Sequence, residues 1–464
     1  MIGIARLFVI GLCMTFVNVQ AQTTGTTGGN LPFNNMQPSL VVTEVLPLAG
    51  IYPSRDGGTA SGDTLGFVYN FAGNFAPGGT AAAQGQVLPI VQNTPLFSLL
   101  GTTYGGNGQT TYALPNLTGT AIVGTGTGAG LSTQNLGANT GTVSVTLSTA
   151  QLPAHVHTLS AGGVTGATGG NQPIDNMQPS LPLTRVIATE GVYPLPGAGA
   201  AFLGQVATFA GNFAPGGWMA ANGQLLQIAQ NTALFSILGT TYGGNGVTTF
   251  ALPDLQGRVS VGASANNPLG TTFGGQFTTL STAQMPAHDH TVPSSANTGN
   301  TGGGAPVNND QPSLALNYLI AVNGIFPSRD GGGSFNETTP VLGQIVEFAG
   351  SFVPNGWLLA NGQLLPINQN QALFSLLGTQ YGGDGRTTFA LPDLRGRTLI
   401  GAGGDYFVGE VLGADTTTLT VANLAAHDHT ISAAAVPEPD TYAMLLAGLG
   451  LLGYAARRRK QPAG

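Results

Sequence analysis

The sequence predicts a mainly β protein made of three tandem copies of one α+β unit, each with one short helix. Three arrangements are open: separate copies, one intramolecular pseudo-trimer, or a homotrimer of three chains. Three observations carry this prediction. A five-residue motif recurs as Tyr104-Gly-Gly-Asn-Gly108, Tyr242-Gly-Gly-Asn-Gly246 and Tyr381-Gly-Gly-Asp-Gly385, at spacings of 138 and 139 residues. Self-similarity at a fixed period is the signature of a repeat architecture. A His-x-His motif also occurs three times, at His155/His157, His288/His290 and His427/His429, and these are all six histidines of the chain. Finally, 73 glycines and 29 prolines among 464 residues, with only 7% charged residues, suit short strands joined by many turns.

The elements follow in the same order in each copy. A short block opens it, Gln37-Pro-Ser-Leu40 to Pro53, Gln178-Pro-Ser-Leu181 to Pro194 and Gln311-Pro-Ser-Leu314 to Pro327. A long block follows, from Leu65 to Thr120, Leu203 to Arg258 and Leu342 to Arg397, and the His-x-His closes the unit. In copy two, Gly204 to Ala210 alternates like a half-buried strand, and Leu225–Ile228 and Arg258–Gly262 look like further strands. Thr232–Leu238 reads as the helix, with Asn231 as its cap and Gly239 as its stop. In copy one Pro95 falls in the first helical turn, where proline is tolerated. Thr23–Asn30, Ser160–Gln172 and Ser294–Asn309 read as flexible linkers or surface loops. The units are thus bounded at 35–157, 175–290 and 308–429.

Both ends read as targeting signals. Arg6 precedes the apolar run Leu7–Val17, and Val19-Gln-Ala21 offers a cleavage site, so residues 1–21 are expected to be a signal peptide. The only cysteine, Cys13, lies inside it, so the mature chain has no disulfide. At the other end, residues 436–460 hold Pro437-Glu438-Pro439, the apolar stretch Tyr442–Ala456 and a cationic cluster that includes Arg457, Arg458 and Arg459. The stretch is short for a full span, but flanking cations can snorkel and mark the cytoplasmic side, so from the residues alone it reads as a membrane anchor. A net charge of −7 with no basic stripe argues against a nucleic-acid partner.

In a strand, side chains at i and i+2 share a face, so each His-x-His presents two imidazoles side by side. Three such pairs around a threefold axis would supply six nitrogens, an octahedral set for a divalent transition metal. The alternative is three surface turns with polar histidines.

The C-terminal arrangement resembles the PEP-CTERM sorting signal of Gram-negative, exopolysaccharide-producing bacteria. That resemblance implies transient anchoring in the inner membrane, an exosortase-type processing enzyme there, removal of the tail, and a final place at the cell surface, outer membrane or extracellular matrix. Between the two signals, Gly-Gln-(Val/Ile)-x-x-Phe-Ala-Gly, Asn-Gly-Gln-Leu, Leu-Phe-Ser-x-Leu-Gly-Thr and Ala-Leu-Pro-Asp-Leu-x-Gly-Arg together resemble the phage tail collar domain family, including its microcystin-dependent-protein-like members. In that family the domain belongs to trimeric tail fibres, and in the related short tail fibre His-x-His motifs from three chains bind a metal on the axis. The resemblance therefore implies a structural metal, iron or zinc, on His155, His157, His288, His290, His427 and His429. The family's single-domain members carry the Gln-Pro-Ser-Leu block after the His-x-His, whereas here it comes first. This departure suggests that Asn35 to Pro53 completes the third long block and closes a ring within one chain; the alternatives are independent beads or a homotrimer.

Comparison of the copies sorts the remaining residues. Asp254 with Arg258, and Asp393 with Arg397, become Asn116 and Thr120 in copy one, so both charges are lost together. This reads as structural ion pairing rather than a catalytic dyad. Trp218 and Trp357 become Thr80, and they read as core residues more readily than as sugar-stacking platforms. No catalytic residue is identified, because nucleophile-elbow, zinc-protease and phosphate-loop motifs are all missing. The expectation is an exported structural or adhesive protein, with a surface glycan or exopolysaccharide as partner. The alternative is a secreted metal-dependent hydrolase acting on surface polysaccharide.

Overall fold

The computed structural model of the chain describes residues 22–54, 64–194, 202–293, 296–328, 340–431 and 439–458. The expected signal peptide lies outside them, as do Pro437, Glu438 and Arg459 of the sorting signal.

Each copy contributes three principal strands: β1 (Ser39–Pro47), β2 (Phe67–Phe71) and β3 (Ala121–Gly124); β4 (Ser180–Ala188), β5 (Gln205–Phe209) and β6 (Val259–Gly262); β7 (Ser313–Ala321), β8 (Gln344–Phe348) and β9 (Thr398–Gly401). The nine-residue strands β1, β4 and β7 are buried almost throughout. Their pairing explains why. The second half of each lies antiparallel to the next strand of its own copy, as in Thr43 opposite Phe71 and Thr184 opposite Phe209. The first half lies parallel to the last strand of the preceding copy, Ser180 opposite Ala121 and Ser313 opposite Val259. A strand covered by neighbours in this way reads as a continuous apolar run rather than as an alternation.

The same step closes the circle. β1 of copy one pairs in parallel with β9 of copy three, Ser39 opposite Thr398. Around the centre, β2, β5 and β8 pair mutually, through Thr208 with Val68, Gln205 with Phe348, and Gln344 with Phe71. The body is a pseudo-trimer built from one chain, not a row of beads. Its apolar cores are shared accordingly: Phe202, Phe250 and Leu234 of copy two pack with Phe348 and Leu319 of copy three. Phe71 and Val45 of copy one pack with Phe389 and Leu373 of copy three.

The helices are α1 (Thr94–Leu100), α2 (Thr232–Leu238) and α3 (Gln371–Leu377). Each bears leucines on the core, such as Leu96 and Leu100 of α1. Gly239 ends α2 at φ 55°, a conformation open to glycine. The expected cap differs: Asn231 makes no side-chain bond to the helix, and its Nδ2 instead donates to Gln227 O at 3.0 Å, closing the preceding turn.

Two further expectations are corrected. The segments read as flexible linkers or surface loops are, where described, hydrogen-bonded surface segments rather than free linkers: Thr168 pairs with His155, Thr301 with His288, and Thr27 with His427. Their polar, small-residue composition serves close backbone approach rather than mobility. The apolar C-terminal stretch does form a helix, α4 (Pro439–Arg458), but no described helix is long and apolar enough to cross a membrane. Tyr442–Ala456 covers only about 22 Å at the helical rise, against a hydrocarbon core of about 30 Å. Three glycines dilute it and arginines follow at once.

Candidate metal centre

The six histidines, expected from sequence to be partners, meet in one cluster. A 3-10 turn, Thr149–Gln151, delivers the chain to His155, and Thr282–Gln284 and Val421–Asn423 do the same for His288 and His427. Below the cluster lies an apolar layer from all three copies, including Phe33, Leu152, Ile174, Met285, Val307 and Leu424. All six side chains are 0–5% exposed.

Each ring is oriented through its Nδ1. His155, His288 and His427 bond the carbonyls of Pro153, Pro286 and Ala425 at 2.8, 3.0 and 2.8 Å. His157, His290 and His429 bond Gly299, Gly25 and Gly166, each at 2.8 Å, and these carbonyls sit on the segment of another copy. Carbonyls only accept, so every Nδ1 carries a proton, and in the neutral ring Nε2 then presents a lone pair. His155 Nε2 and His288 Nε2 lie 3.2 and 3.3 Å from His427 Nε2. The Nε2 atoms of His157, His290 and His429 are buried without a hydrogen-bond partner among the described residues. Lone pairs facing one another at such distances repel unless a cation lies between them.

The rings are arranged as an octahedron. His155 lies 4.8–5.3 Å, centroid to centroid, from His157, His288, His427 and His429, but makes no ring contact with His290. His157 likewise neighbours every ring but His427, and His288 every ring but His429. Four neighbours and one opposite is the adjacency of octahedral vertices. With metal–nitrogen bonds of about 2.1 Å, adjacent nitrogens stand about 3.0 Å apart, close to the spacings here. The ligand atoms of His155, His157, His288 and His290 lie within 4.8 Å of one another, as do those of His155, His290, His427 and His429. The residues present fit a six-coordinate ion and could hold one.

Burial lowers the pKa of His155 and His290 to about 4, against the opposing bonds to Pro153 and Gly25. It lowers His157, His427 and His429 too, and neighbouring imidazoles add to the effect. Neutral imidazole is the ligand form. No carboxylate joins the metal-competent groups found among the described residues. Arg258 Nη1 lies 3.1 Å from Asp254 Oδ2, and Arg397 Nη1 lies 3.4 Å from Asp393 Oδ2, which Arg395 also binds at 2.9 Å.

Sequence reasoning missed three features. Tyr104, Tyr242 and Tyr381 of the recurring motif donate to Ala210, Ala349 and Ala72 carbonyls at 2.5, 2.8 and 2.7 Å, each in another copy. A buried polar group of Glu44, Arg185, Tyr318 and Glu347 lies within the body. Gln37, Gln178 and Gln311 form a closed ring. The threefold recurrence of Tyr and Gln was the available signal; the charged group has none, because one position holds three different residues.

The Phage Tail Collar Domain model matches residues 66–122, 204–260 and 343–399. The chain carries three phage tail collar domains. The matches cover the long block of each copy; the short blocks and the histidines of the collar body lie outside them. Residues 435–460 match the PEP-CTERM protein-sorting motif, which implies processing by an exosortase-type enzyme and export to the surface. No curated protein and no solved structure matches this collar protein.

Proposed function

We propose that this chain is an exported structural protein of the cell surface or extracellular matrix, its collar body pinned by one divalent transition metal, iron or zinc, on the pseudo-threefold axis. The observation that carries the reading is the convergence of six Nε2 lone pairs, each fixed by its own Nδ1–carbonyl bond. Ligand rings oriented through their second nitrogen are the hallmark of a built metal site. Six nitrogens fill an octahedral shell and leave no open position for water or substrate, so the role is structural and not catalytic.

An adhesive role rests on a groove of about 640 Å³ lined by Tyr193, Phe352, Pro354 and Trp357, at the boundary of copies two and three. The partly exposed rings of Tyr193 and Phe352 present apolar faces that suit a sugar in a surface glycan or exopolysaccharide, while Trp357 is buried.

Native mass spectrometry of the mature chain, before and after chelation, tests the metal and the closure together. One chain with one metal is expected, and removal of the metal should lower the melting temperature. Three chains with three metals would show intermolecular rings instead, and a metal-free chain would refute the site. Turnover of a polysaccharide that is lost on chelation while the fold persists would favour the hydrolase reading.

A further inference from the structure

Gln37, Gln178 and Gln311 occupy the same place in the three copies, two residues before the long strands, and are 0–2% exposed. Their side chains are passed round a circle. Gln178 Oε1 accepts from Gln37 N at 3.0 Å, Gln311 Oε1 from Gln178 N at 3.1 Å, and Gln37 Oε1 from Gln311 N at 3.0 Å. Because a backbone N–H can only donate, these bonds settle which end of each amide is oxygen. Three NH₂ groups are left over. None of the three Nε2 atoms has a hydrogen-bond partner among the described residues, and all three are buried.

The neighbouring side-chain donors are already committed, while Asn35 Oδ1 is buried without a hydrogen-bond partner among the described residues. The hydroxyls of Ser39, Ser180 and Ser313 donate to the carbonyl of their own glutamine at 2.9, 3.0 and 2.8 Å. The Asn35, Asn176 and Asn309 amides donate to the carbonyls of Met177, Asp310 and Met36. The Asp310 carboxylate is turned to Asn308 Nδ2, at 3.4 Å. Met36 and Met177, next in sequence to Gln37 and Gln178, belong to an apolar cluster with Val41, Ala121, Val123, Val259 and Ile400.

We infer that the three glutamine amides enclose an axial pocket that binds one small monovalent anion, of the size and charge of chloride. Burial of an unpaired donor is unfavourable, and here it is repeated three times at one level of the fold. The ring presents donors only. A water placed there would accept from two of them and direct its own protons at further N–H groups, whereas a halide accepts from all three. The site differs in kind from the histidine cluster, which offers lone pairs to a cation.

The test is a crystal of the intact mature chain grown in sodium bromide, with data collected at the bromine edge. A single anomalous peak within hydrogen-bond reach of all three Nε2 atoms is expected. A water alone at that point, or amides turned away from one another, would overturn the inference. In solution, the melting temperature of the same protein should rise with the logarithm of halide concentration when bromide replaces gluconate at constant ionic strength, as for a ligand bound only by the folded state. Gln178→Leu, which removes one amide, should flatten that dependence. A wild-type melting temperature indifferent to halide would overturn the site even if the variant does not fold.

Discussion

Arg185 and Glu347 form a buried ion pair across a copy boundary, and neither residue has a counterpart in the other copies. Where copy two has Arg185, copy one has Glu44 and copy three Tyr318; where copy three has Glu347, copy one has Asn70 and copy two Thr208. Tyr318 donates to or accepts from Ser260 at 2.8 Å. A ring of three identical copies would bring three guanidiniums or three carboxylates together in the interior. The copies are therefore complementary at this level, and one ion pair joins copies two and three.

Removal of one partner from a buried pair leaves the other uncompensated, which costs roughly 3–5 kcal/mol. Glu347→Gln should lose that much in urea unfolding at pH 7. Burial raises the Glu44 pKa well above its ordinary value, and neither of its carboxyl oxygens has a hydrogen-bond partner among the described residues, so a neutral amide replaces it without loss of a bond. Glu44→Gln should cost under about 1 kcal/mol in the same measurement. Equal losses for the two variants would contradict this assignment.

Burial, with Asp415 second, raises the Asp310 pKa from 3.8 to about 6. A carboxyl with a raised folded pKa holds more protons when folded than when unfolded between these values, so its contribution to stability is present below pH 3.8 and lost as pH rises to about 6. His155 and His290, lowered to about 4, act in this range with the opposite sign, so the informative quantity is a difference. Relative to wild type, Asp310→Asn should gain stability from pH 4 to 6 and stay level above pH 7. A flat difference across that range would show that Asp310 is not perturbed.

His290 has its Nδ1 on Gly25 and its Nε2 in the cluster. His290→Ala should weaken metal binding at least as much as loss of an outer partner does, about 10–100-fold or more, in competition with a chelator. Deletion of residues 22–31 removes the Gly25 carbonyl and the strand partner of His427–Ile431 without touching a ligand. It too should weaken the metal, by about 10-fold or more on the same grounds. Undiminished affinity after the deletion would mean that the N-terminal segment does not orient the site.

The chain has two tryptophans, which report separately on copies two and three. Trp357 is 2% exposed and packs 5.8 Å from Phe202, whereas Trp218 is half-buried against Phe67 at 5.1 Å. Trp357→Ala should cost about 3–5 kcal/mol and leave a red-shifted emission from Trp218. Trp218→Ala should cost less and leave a blue-shifted one. Similar spectra from the two variants would show equal burial.

Much of this was legible in the sequence because repetition amplifies signal. The three His-x-His motifs, the helix ending at Gly239 and the circular placement of the short blocks each had three chances to show. What remained hidden depends on contacts between copies. Gln37 and Tyr104 recur but bond to another copy, so spacing along the chain says nothing of their partners. Glu44, Arg185 and Glu347 differ at positions where a comparison of repeats looks for agreement. The segment Thr23–Asn30 reads as a linker because small polar residues suit mobility and close backbone contact equally well; only the third His-x-His, which lacks a following segment like those of copies one and two, hints that the first is needed there.

The parallel pairing of Ser39–Val42 with Thr398–Gly401 also sets a timetable. The entropy of closing so long a loop grows only slowly with its length, but the search for such a distant partner is slow. A chain exported from its N-terminus emerges with β1 first and β9 last. The leading strand must therefore wait outside the membrane with an open edge, prone to pair with other chains, until the third unit has been delivered. For a chain delivered in that order, ring closure needs β9 and so follows delivery of the third unit.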